Sequence, residues 1–148
     1  MRGALAALAA ALGIGASALA GTTELADPKP SFDAPRRIVI GVSEGDTGRL
    51  NAVLNNIANI QKFYGADLAK LVVVGYGPGV RALLREDNPV RARIESFQAI
   101  EVEFIACGAT LESLKKTEAD LIKGVETVTN GLPEIVERQL KGWTYLHP

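Results

Sequence analysis

Short apolar runs alternate with segments of helical periodicity along most of the chain. The first two runs are apolar at nearly every position, which is typical of strands covered on both faces of a parallel sheet. A strand, helix, strand order of this kind specifies parallel neighbours joined by crossover connections. The alternation therefore predicts an α/β fold with a largely parallel five-stranded sheet and helices on both faces. The predicted strands are residues 37–42, 68–74, 101–106, 124–128 and 143–146.

The segments between the strands predict helices. Apolar positions recur at helical spacing through residues 50–63, and Gly65 follows as a C-terminal glycine. Asn88 and Pro89 predict the cap and the first position of a later helix. Gly142 ends the last helix. The remaining helical segments are residues 80–85, 89–98, 111–116 and 133–140, with a short turn at 118–122.

The first 20 residues differ from the rest of the chain. A basic Arg2 precedes an apolar run rich in Ala and Leu, and Ala18-Leu19-Ala20 fits a small-x-small cleavage site. This order predicts a secretory signal peptide at residues 1–20, a mature chain that starts at Gly21, and a periplasmic or secreted location. The alternative is an uncleaved membrane anchor, although the run is short for a span. After cleavage, no membrane association is expected.

Residues 21–35 contain three prolines and little periodicity, so they predict an extended tether. Residues 36–148 then form one domain. Loss of Arg2 with the leader takes the formal net charge from −1 to −2, and acids and bases are interspersed. This charge pattern does not support nucleic acid as a partner.

Cys107 is the single cysteine of the sequence, and it follows the third predicted strand. Thr110 fits the N-cap of the next helix, so Cys107 is expected where a strand ends and a helix begins. The free N–H groups and the dipole at a helix start stabilise an anion such as a thiolate. The alternative is a structural cysteine, because free Cys is among the most buried residue types.

The residue types also limit the cofactors. One cysteine cannot form an internal disulfide, and the single histidine, His147, completes no metal-ligand spacing, so no metal site is predicted. Residues 75–79, Gly-Tyr-Gly-Pro-Gly, resemble a phosphate cradle but lack a Walker end and the G-x-G-x-x-G spacing. A tight strand-to-helix turn is the favoured interpretation, and no cofactor is predicted.

Loops at the carboxyl ends of parallel strands are where such sheets bind ligands. Four loops are expected there: residues 43–48, 75–79, 107–110 and 130–131. The first predicted helix carries several asparagines, which are interpreted as a solvated face or, alternatively, as part of a site or interface. Tyr76 and Asn59 are candidate pocket walls.

A set of short stretches, spread over nearly all of residues 36–148, resembles the DsrE/DsrF-like family, above all its exported branch. The stretches are Gly77-Pro78-Gly79, residues 104–111 (Phe-Ile-Ala-Cys-Gly-Ala-Thr-Leu), Gly124-Val125, Glu134, Ile135, Gln139, Gly142, Trp143, Tyr145 and Pro148. The resemblance implies a three-layer α/β/α domain and homo-oligomers, often trimers or hexamers. It also implies sulfur chemistry, because characterised relatives carry a persulfide on the cysteine of the third-strand loop and pass it along a relay.

Cys107 falls at that position. The chain departs from the family at Gly108-Ala109, where relatives often have a polar pair that includes Asn. The resemblance thus predicts a sulfurtransferase-like sulfur carrier, with protein or small-thiol sulfur donors and acceptors. The candidate site consists of Cys107, an anion-binding helix start and the neighbouring pocket: Gly108, Ala109, Thr110, Gly77, Gly79, Tyr76 and Asn59.

A second hypothesis stays open. The chain would then be a non-catalytic, oligomeric module that binds a small anion or serves assembly, with Cys107 as a buried structural residue. Trp143 and Tyr145 are expected on one face of the last strand, where they offer aromatic area that a small domain does not bury alone. Self-association is predicted under both hypotheses.

Overall fold

The computed structural model describes residues 21–148; the predicted signal peptide, residues 1–20, lies outside them. Five strands form one parallel sheet in the order β4-β3-β2-β1-β5. The predicted α/β fold is confirmed. The strands are β1 (Arg36–Val42), β2 (Ala69–Gly75), β3 (Glu103–Cys107), β4 (Glu126–Val128) and β5 (Thr144–Leu146). The α-helices are α1 (Thr47–Tyr64), α2 (Arg91–Gln98), α3 (Gly108–Ser113) and α4 (Gly131–Leu140), and 3-10 turns cover Ala66–Leu68, Gly77–Leu83 and Glu118–Asp120.

The sheet separates two apolar cores, because successive side chains of a strand point to opposite faces. Ile38 and Ile40 of β1 join the larger core, which α1 and α2 cover. Val39, between them, joins the smaller core, which contains Ile135 of α4. The helices therefore lie on both faces, and α4 packs against the smaller core, which also includes Val72, Val74 and Ile105.

Helix α1 begins three residues before the predicted start, because the Asp46 carboxylate accepts the Arg49 N–H at 2.9 Å and caps the helix. Gly65 ends it, as predicted, with a φ of +83°. Two of the helix's asparagines bind α2: Asn51 and Asn55 accept hydrogen bonds from the Arg93 guanidinium at 2.7 and 2.8 Å. These two asparagines therefore join helices rather than line a site.

Some predicted boundaries are wrong. Residues 77–83 form a 3-10 turn where a helix at 80–85 was predicted. Helix α2 begins at Arg91 and not at Pro89, because the Asn88 side chain caps the turn before it: the amide donates to the Leu84 carbonyl at 2.7 Å, and its oxygen accepts the Val90 N–H at 3.0 Å. Strand β3 begins two residues late because Glu101 has a φ of +65°, which no strand accommodates.

The segment before β1, residues 21–35, has no regular helix or strand. The Arg36 guanidinium nevertheless holds part of it, since it donates to the Ala26 and Pro28 carbonyls at 2.6 and 2.9 Å. Within residues 21–148, no helix combines the length and the apolar composition needed to cross a membrane.

Candidate functional site

Cys107 lies at the carboxyl edge of the sheet, where the ends of β2 and β4 flank the end of β3. The residues that follow these strands surround an open pocket of about 360 Å³. Several predicted site residues thus meet there. The pocket is lined by Tyr76, Gly77, Cys107, Ala109, Thr110, Ser113, Asn130, Gly131, Leu132 and Pro133.

Cys107 is both the last residue of β3 and the N-cap of α3. Cys107 is buried, with 7% of its surface exposed. The start of α4 lies directly on it: a Cβ built on Gly131 would be 3.2 Å from the Cβ atoms of both Cys107 and Tyr76. A side chain at residue 131 would crowd the cysteine, whereas glycine lets the backbone of α4 approach this closely without any displacement.

Two helix starts therefore converge on the sulfur. Within residues 21–148, neither N-cap side chain, Cys107 at α3 or Asn130 at α4, makes a capping hydrogen bond. The Ala109 N–H of α3 donates to the Thr129 carbonyl at 3.1 Å, whereas other backbone N–H groups of the two first turns are left for a ligand or for water. Both helices also present the positive end of their dipoles to the same small region.

Thr110 is not the N-cap that the sequence predicts, because α3 begins at Gly108 and Thr110 is its third residue. Its hydroxyl instead accepts the Gly77 N–H at 3.0 Å, in a partly buried hydrogen bond between the loop after β2 and α3. Thr110 and Cys107 both line the pocket. Thr110 thus connects the loop after β2 to the helix that begins at the cysteine.

Burial raises the pKa of the Cys107 thiol, but the hydrogen bonds around the sulfur outweigh burial and leave the pKa below its ordinary value. The Thr110 hydroxyl contributes most to this lowering, followed by the N–H groups of Gly131 and Thr110. The Ala109 N–H contributes least. The geometry gives a reason, since that N–H already donates to the Thr129 carbonyl at 3.1 Å.

Tyr76 lies in one wall of the pocket. It packs against the smaller core together with Tyr145 of β5. Burial raises the pKa of the Tyr145 hydroxyl, and its hydrogen bond with Tyr76 raises that pKa further. Both tyrosines therefore contact the apolar core that lies beside the pocket.

Gly79 and Gly108 are near the pocket but do not line it. A Cβ on Gly79 would lie 2.0 Å from the Val42 carbonyl oxygen, and a Cβ on Gly108 would lie 2.9 Å from the Val128 carbonyl oxygen. Both glycines therefore serve close backbone packing. The loop at residues 75–79 is a tight turn, in agreement with the favoured interpretation.

The prediction that Asn59 forms a pocket wall is wrong. Asn59 is exposed in the last turns of α1. A helix that connects parallel strands runs antiparallel to them, so its last turns lie at the amino edge of the sheet. Gln61, two residues further on, confirms this placement because its amide donates to the Ile100 carbonyl, just before β3, at 3.4 Å.

His147 is also distant from the pocket in the fold. Its Nε2 lies 3.3 Å from the Ser43 hydroxyl, at the carboxyl ends of β5 and β1. Strand β2 separates β1 from β3. The pocket lining contains no Asp, Glu, His, Lys or Arg. Within the described part of the chain, no group of three His, Cys, Asp or Glu side chains is arranged to hold a metal ion.

The sequence prediction missed the contribution of α4. Residues 130–131 were expected at the correct edge of the sheet, but nothing indicated that they contact Cys107. The neighbouring positions of β3 and β4 bring them there, through the pairing of Cys107 with Val128. The available signal was the Asn-Gly-Leu-Pro stretch at residues 130–133. It indicates that a helix opens directly after a strand, but it does not indicate which residue the helix contacts.

Trp143 and Tyr145 share a face, as predicted, and both pack against the smaller core. Two guanidinium groups also cover the Trp143 ring: those of Arg37 and Arg138, whose Cζ atoms are 5.9 and 4.8 Å from its centroid. The exposed large apolar side chains include a row on the outer side of α4. This row is formed by Leu132, Val136 and Leu140, which are 54%, 51% and 77% exposed, and it is called here the α4 stripe.

Comparison with known proteins gives one family and several similar folds. The sequence model described as the DsrE/DsrF-like family matches residues 37–148. A protein of unknown function from Methanobacterium thermoautotrophicum, MTH1491, is 31% identical; the match covers 76% of this chain and 99% of that chain, with a TM-score of 0.73. No curated protein gives a significant match.

Two further solved structures share the fold. The E. coli protein YchN is 22% identical, with 76% of this chain and 99% of that chain covered and a TM-score of 0.66. The Bacteroides thetaiotaomicron protein BT1422 is 18% identical, with 75% and 93% covered and a TM-score of 0.58. At these identities the likeness supports the three-layer architecture alone.

Proposed function

We propose, from the premise that this chain belongs to the DsrE/DsrF-like family, that it is a sulfur carrier. It holds a persulfide on Cys107 and passes the outer sulfur to an acceptor thiol. The observation that carries the proposal is the convergence of two uncapped helix starts on a single thiol whose pKa is lowered. A thiolate is the reactive form of cysteine, and such surroundings favour it.

Loading is a displacement at sulfur. The Cys107 thiolate attacks the outer sulfur of a donor persulfide, R–S–SH; a Cys107–S–SH bond forms and the donor leaves as R–S⁻. No electron is gained or lost overall. The step needs no general base once the thiol is ionised, which agrees with a pocket lining that contains no ionisable side chain other than Cys107 and Tyr76.

Unloading reverses the roles. An acceptor thiolate attacks the outer sulfur, a new acceptor persulfide forms, and Cys107 leaves as a thiolate. A low thiol pKa makes Cys107 a good leaving group in this step. Before transfer, the deprotonated outer sulfur would be an anion in the pocket, where the N–H groups at the start of α4 stabilise it.

The proposal includes the export predicted from residues 1–20 and assembly into a homo-oligomer, a trimer or a hexamer. The α4 stripe supports assembly, because contiguous exposed apolar side chains mark interaction surfaces. Leu132 belongs both to this stripe and to the pocket lining. A copy bound to the stripe would therefore lie beside the pocket.

The test is sulfur loading followed by mass measurement of the intact chain. The purified protein is incubated with a persulfide or polysulfide donor, freed of excess donor, and compared with Cys107→Ser. We expect the wild type alone to gain one sulfur atom and to lose it to an added thiol. A wild type that gains no sulfur from several donors, with a thiol that also resists alkylation in the folded state, would favour a buried structural cysteine.

A further inference from the structure

A groove of about 880 Å³ lies at the amino edge of the sheet, on the side opposite the Cys107 pocket. Its lining includes the first residues of three neighbouring strands, Ala69 of β2, Glu103 of β3 and Glu126 of β4. The groove and the Cys107 pocket have no lining residue in common. This surface, called here the amino-edge groove, is therefore separate from the candidate site.

Two glutamines fix the loops that border the groove. The Gln61 side chain of α1 donates to the Ile100 carbonyl, in the loop before β3, at 3.4 Å. The Gln98 side chain of α2 donates to the Lys123 carbonyl, in the loop before β4, at 3.1 Å. Each loop is thereby tied to a helix, so the groove is formed before any ligand binds.

Two large apolar side chains of the groove lining are exposed to solvent. Phe32 is 77% exposed and Ile100 is 48% exposed. Phe32 belongs to the segment before β1, which the Arg36 guanidinium holds through the Ala26 and Pro28 carbonyls. Exposed apolar side chains that are surrounded by polar residues mark a surface that contacts another molecule.

The charged residues of the groove are mostly acidic, since its lining contains five carboxylates and two lysines and has a formal net charge of −3. Two of the carboxylates form ion pairs, with Lys70 and Arg91, at 3.0 and 2.8 Å. The other three form no ion pair within residues 21–148; they are Asp67, Glu101 and Glu126. The groove is therefore complementary to a positively charged ligand.

Glu101 occupies a backbone position that does not suit it. It follows helix α2 with a φ of +65°, in the left-handed region that favours glycine, and it places a carboxylate near the negative end of the helix dipole. Lys115 follows α3 with a φ of +54°, but its cation suits that end of a helix. Glu101 is thus unfavourable in both backbone and charge, and residues of this kind concentrate at binding sites.

We propose that the amino-edge groove binds a segment of a partner protein in which Lys or Arg side chains stand beside apolar ones. Lys and Arg have an apolar stem and a charged head, so the stem can cover Phe32 and Ile100 while the head reaches the Glu101 carboxylate. A cation over the Phe32 ring is also attracted by its π electrons. A small cation would leave the two apolar side chains exposed, which favours a polypeptide as the ligand.

The dimensions of the groove agree with an extended segment. Neighbouring strands are about 4.8 Å apart, so the distance from the start of β2 to the start of β4 is about 10 Å. An extended chain covers about 3.3 Å per residue, so about three residues reach across. A partner bound at this edge would leave the Cys107 pocket open, whatever chemistry occurs there.

The test uses three short peptides of equal length that differ only in side-chain class. The first alternates Lys with Phe and Leu, the second has Glu in place of Lys, and the third has Ser in place of Phe and Leu. Binding is followed by NMR through the amide shifts of the isotope-labelled protein. We expect the first peptide to shift the Ile100, Glu101 and Lys123 amides with an affinity about tenfold above that of the other two, and added salt to weaken it.

Two variants at residue 101 separate binding from stability. Glu101→Gln removes the charge, and Glu101→Gly also suits the left-handed backbone, so the melting temperature of the glycine variant should not fall. Both should bind the first peptide about tenfold more weakly, the usual contribution of a bond to a charged group. Lys115→Gly is the matched control, because it removes a charged side chain from the same backbone conformation outside the groove and should leave peptide affinity unchanged.

The absence of amide shifts, or shifts confined to the Cys107 pocket, would overturn the proposal, as would equal affinity for the Lys and Glu peptides. Unchanged affinity in both residue 101 variants would also overturn it. If spermidine shifted the groove amides with the affinity of the first peptide, the ligand would be a small cation. If Glu101→Gln reduced the oligomer mass, the ligand would be a second copy of this chain. Either result would reject a partner segment.

Discussion

The backbone of Gly131 lies against the side chain of Cys107, so that a Cβ on residue 131 would be 3.2 Å from the Cys107 Cβ. This contact joins residues that are far apart in sequence, and it exists because β4 pairs with β3 in the sheet. Helix α4, which starts shortly after this strand, thereby places its first turn against the cysteine. The surroundings of the cysteine therefore depend on a helix that follows the next strand of the chain.

Gly131→Ala should disturb this contact. The added methyl group would lie 3.2 Å from the Cys107 and Tyr76 Cβ atoms and from a Val74 methyl group, so these neighbours or the start of α4 must shift by a few tenths of an ångström. Overpacking of this kind lowers the free energy of unfolding by about 1–3 kcal/mol. A shift of the Gly131 N–H away from the sulfur should raise the pKa of the Cys107 thiol. The pH midpoint of Cys107 alkylation by iodoacetamide should therefore rise. Denaturant unfolding and alkylation measure the two effects.

Gly48→Ala is the control for that substitution. Gly48 is also in the first turn of a helix, but its Cβ would approach only the exposed Asp46 carboxylate, at 3.2 Å from the Oδ1 atom that caps α1. The higher helix propensity of alanine offsets a small shift of this cap, so stability should stay nearly unchanged. If both alanine variants behaved alike, the Gly131 contact would have no special importance.

Thr127→Val should stabilise the domain. The Thr127 hydroxyl is buried and makes no hydrogen bond within residues 21–148, and valine removes it while keeping the shape. An unsatisfied buried hydroxyl is unfavourable by about 1–3 kcal/mol, so an increase of about 1 kcal/mol in the free energy of unfolding is expected. Urea titration would measure it.

Thr117→Val makes the same chemical change where the hydroxyl has a partner. Thr117 and Asp120 form a capping box, in which the Asp120 carboxylate accepts the Thr117 N–H at 2.8 Å and its hydroxyl at 3.2 Å. Loss of such a cap lowers stability by about 1 kcal/mol. Opposite signs for the two valine variants are therefore expected, and equal signs would show that the Thr127 hydroxyl has a partner after all.

The fold and the position of Cys107 could be predicted because both depend on local patterns. The apolar runs and helical periodicity identify each element, and the change from one to the other places Cys107 at a junction. Asn59 was misplaced although the information was present, since the second half of a connecting helix lies at the amino edge of a parallel sheet. The strand-helix order alone was sufficient to exclude it.

The contribution of Gly131 and the true role of Thr110 could not be predicted in the same way. Gly131 contacts Cys107 only because of the strand order, which is a nonlocal property. Thr110 has a residue type that suits an N-cap, but helix α3 starts earlier and the hydroxyl meets the Gly77 N–H across 33 residues. Local propensity gives no information about a partner from another loop.

Val136→Glu should reduce self-association. Val136 is at the centre of the α4 stripe and is 51% exposed, so a carboxylate there can reach solvent in the monomer but would be buried in an assembly. Light scattering at micromolar concentration should give an oligomer for the wild type and a smaller species for the variant. Glu137→Gln, at the next and also exposed position of α4, is the control and should assemble normally. A monomeric wild type would contradict the prediction.

The last prediction concerns the pH dependence of stability. The pKa of Cys107 is lowered in the folded state from an ordinary value of 9.0, mainly because hydrogen bonds outweigh the effect of burial. A group with a depressed pKa stabilises the folded state in its charged form. This stabilisation is fully present above the unfolded thiol pKa and is lost as the pH falls through the folded pKa.

Cys107→Ser supplies the reference, because its hydroxyl does not titrate in this range and can bind the same N–H groups. The difference in free energy of unfolding between wild type and Cys107→Ser should increase with pH between the folded and the unfolded thiol pKa, and stay constant above and below that window. Urea titrations at a series of pH values measure this difference. A difference that does not change with pH would mean that the folded protein does not favour the thiolate, and the sulfur-carrier proposal would lose its main support.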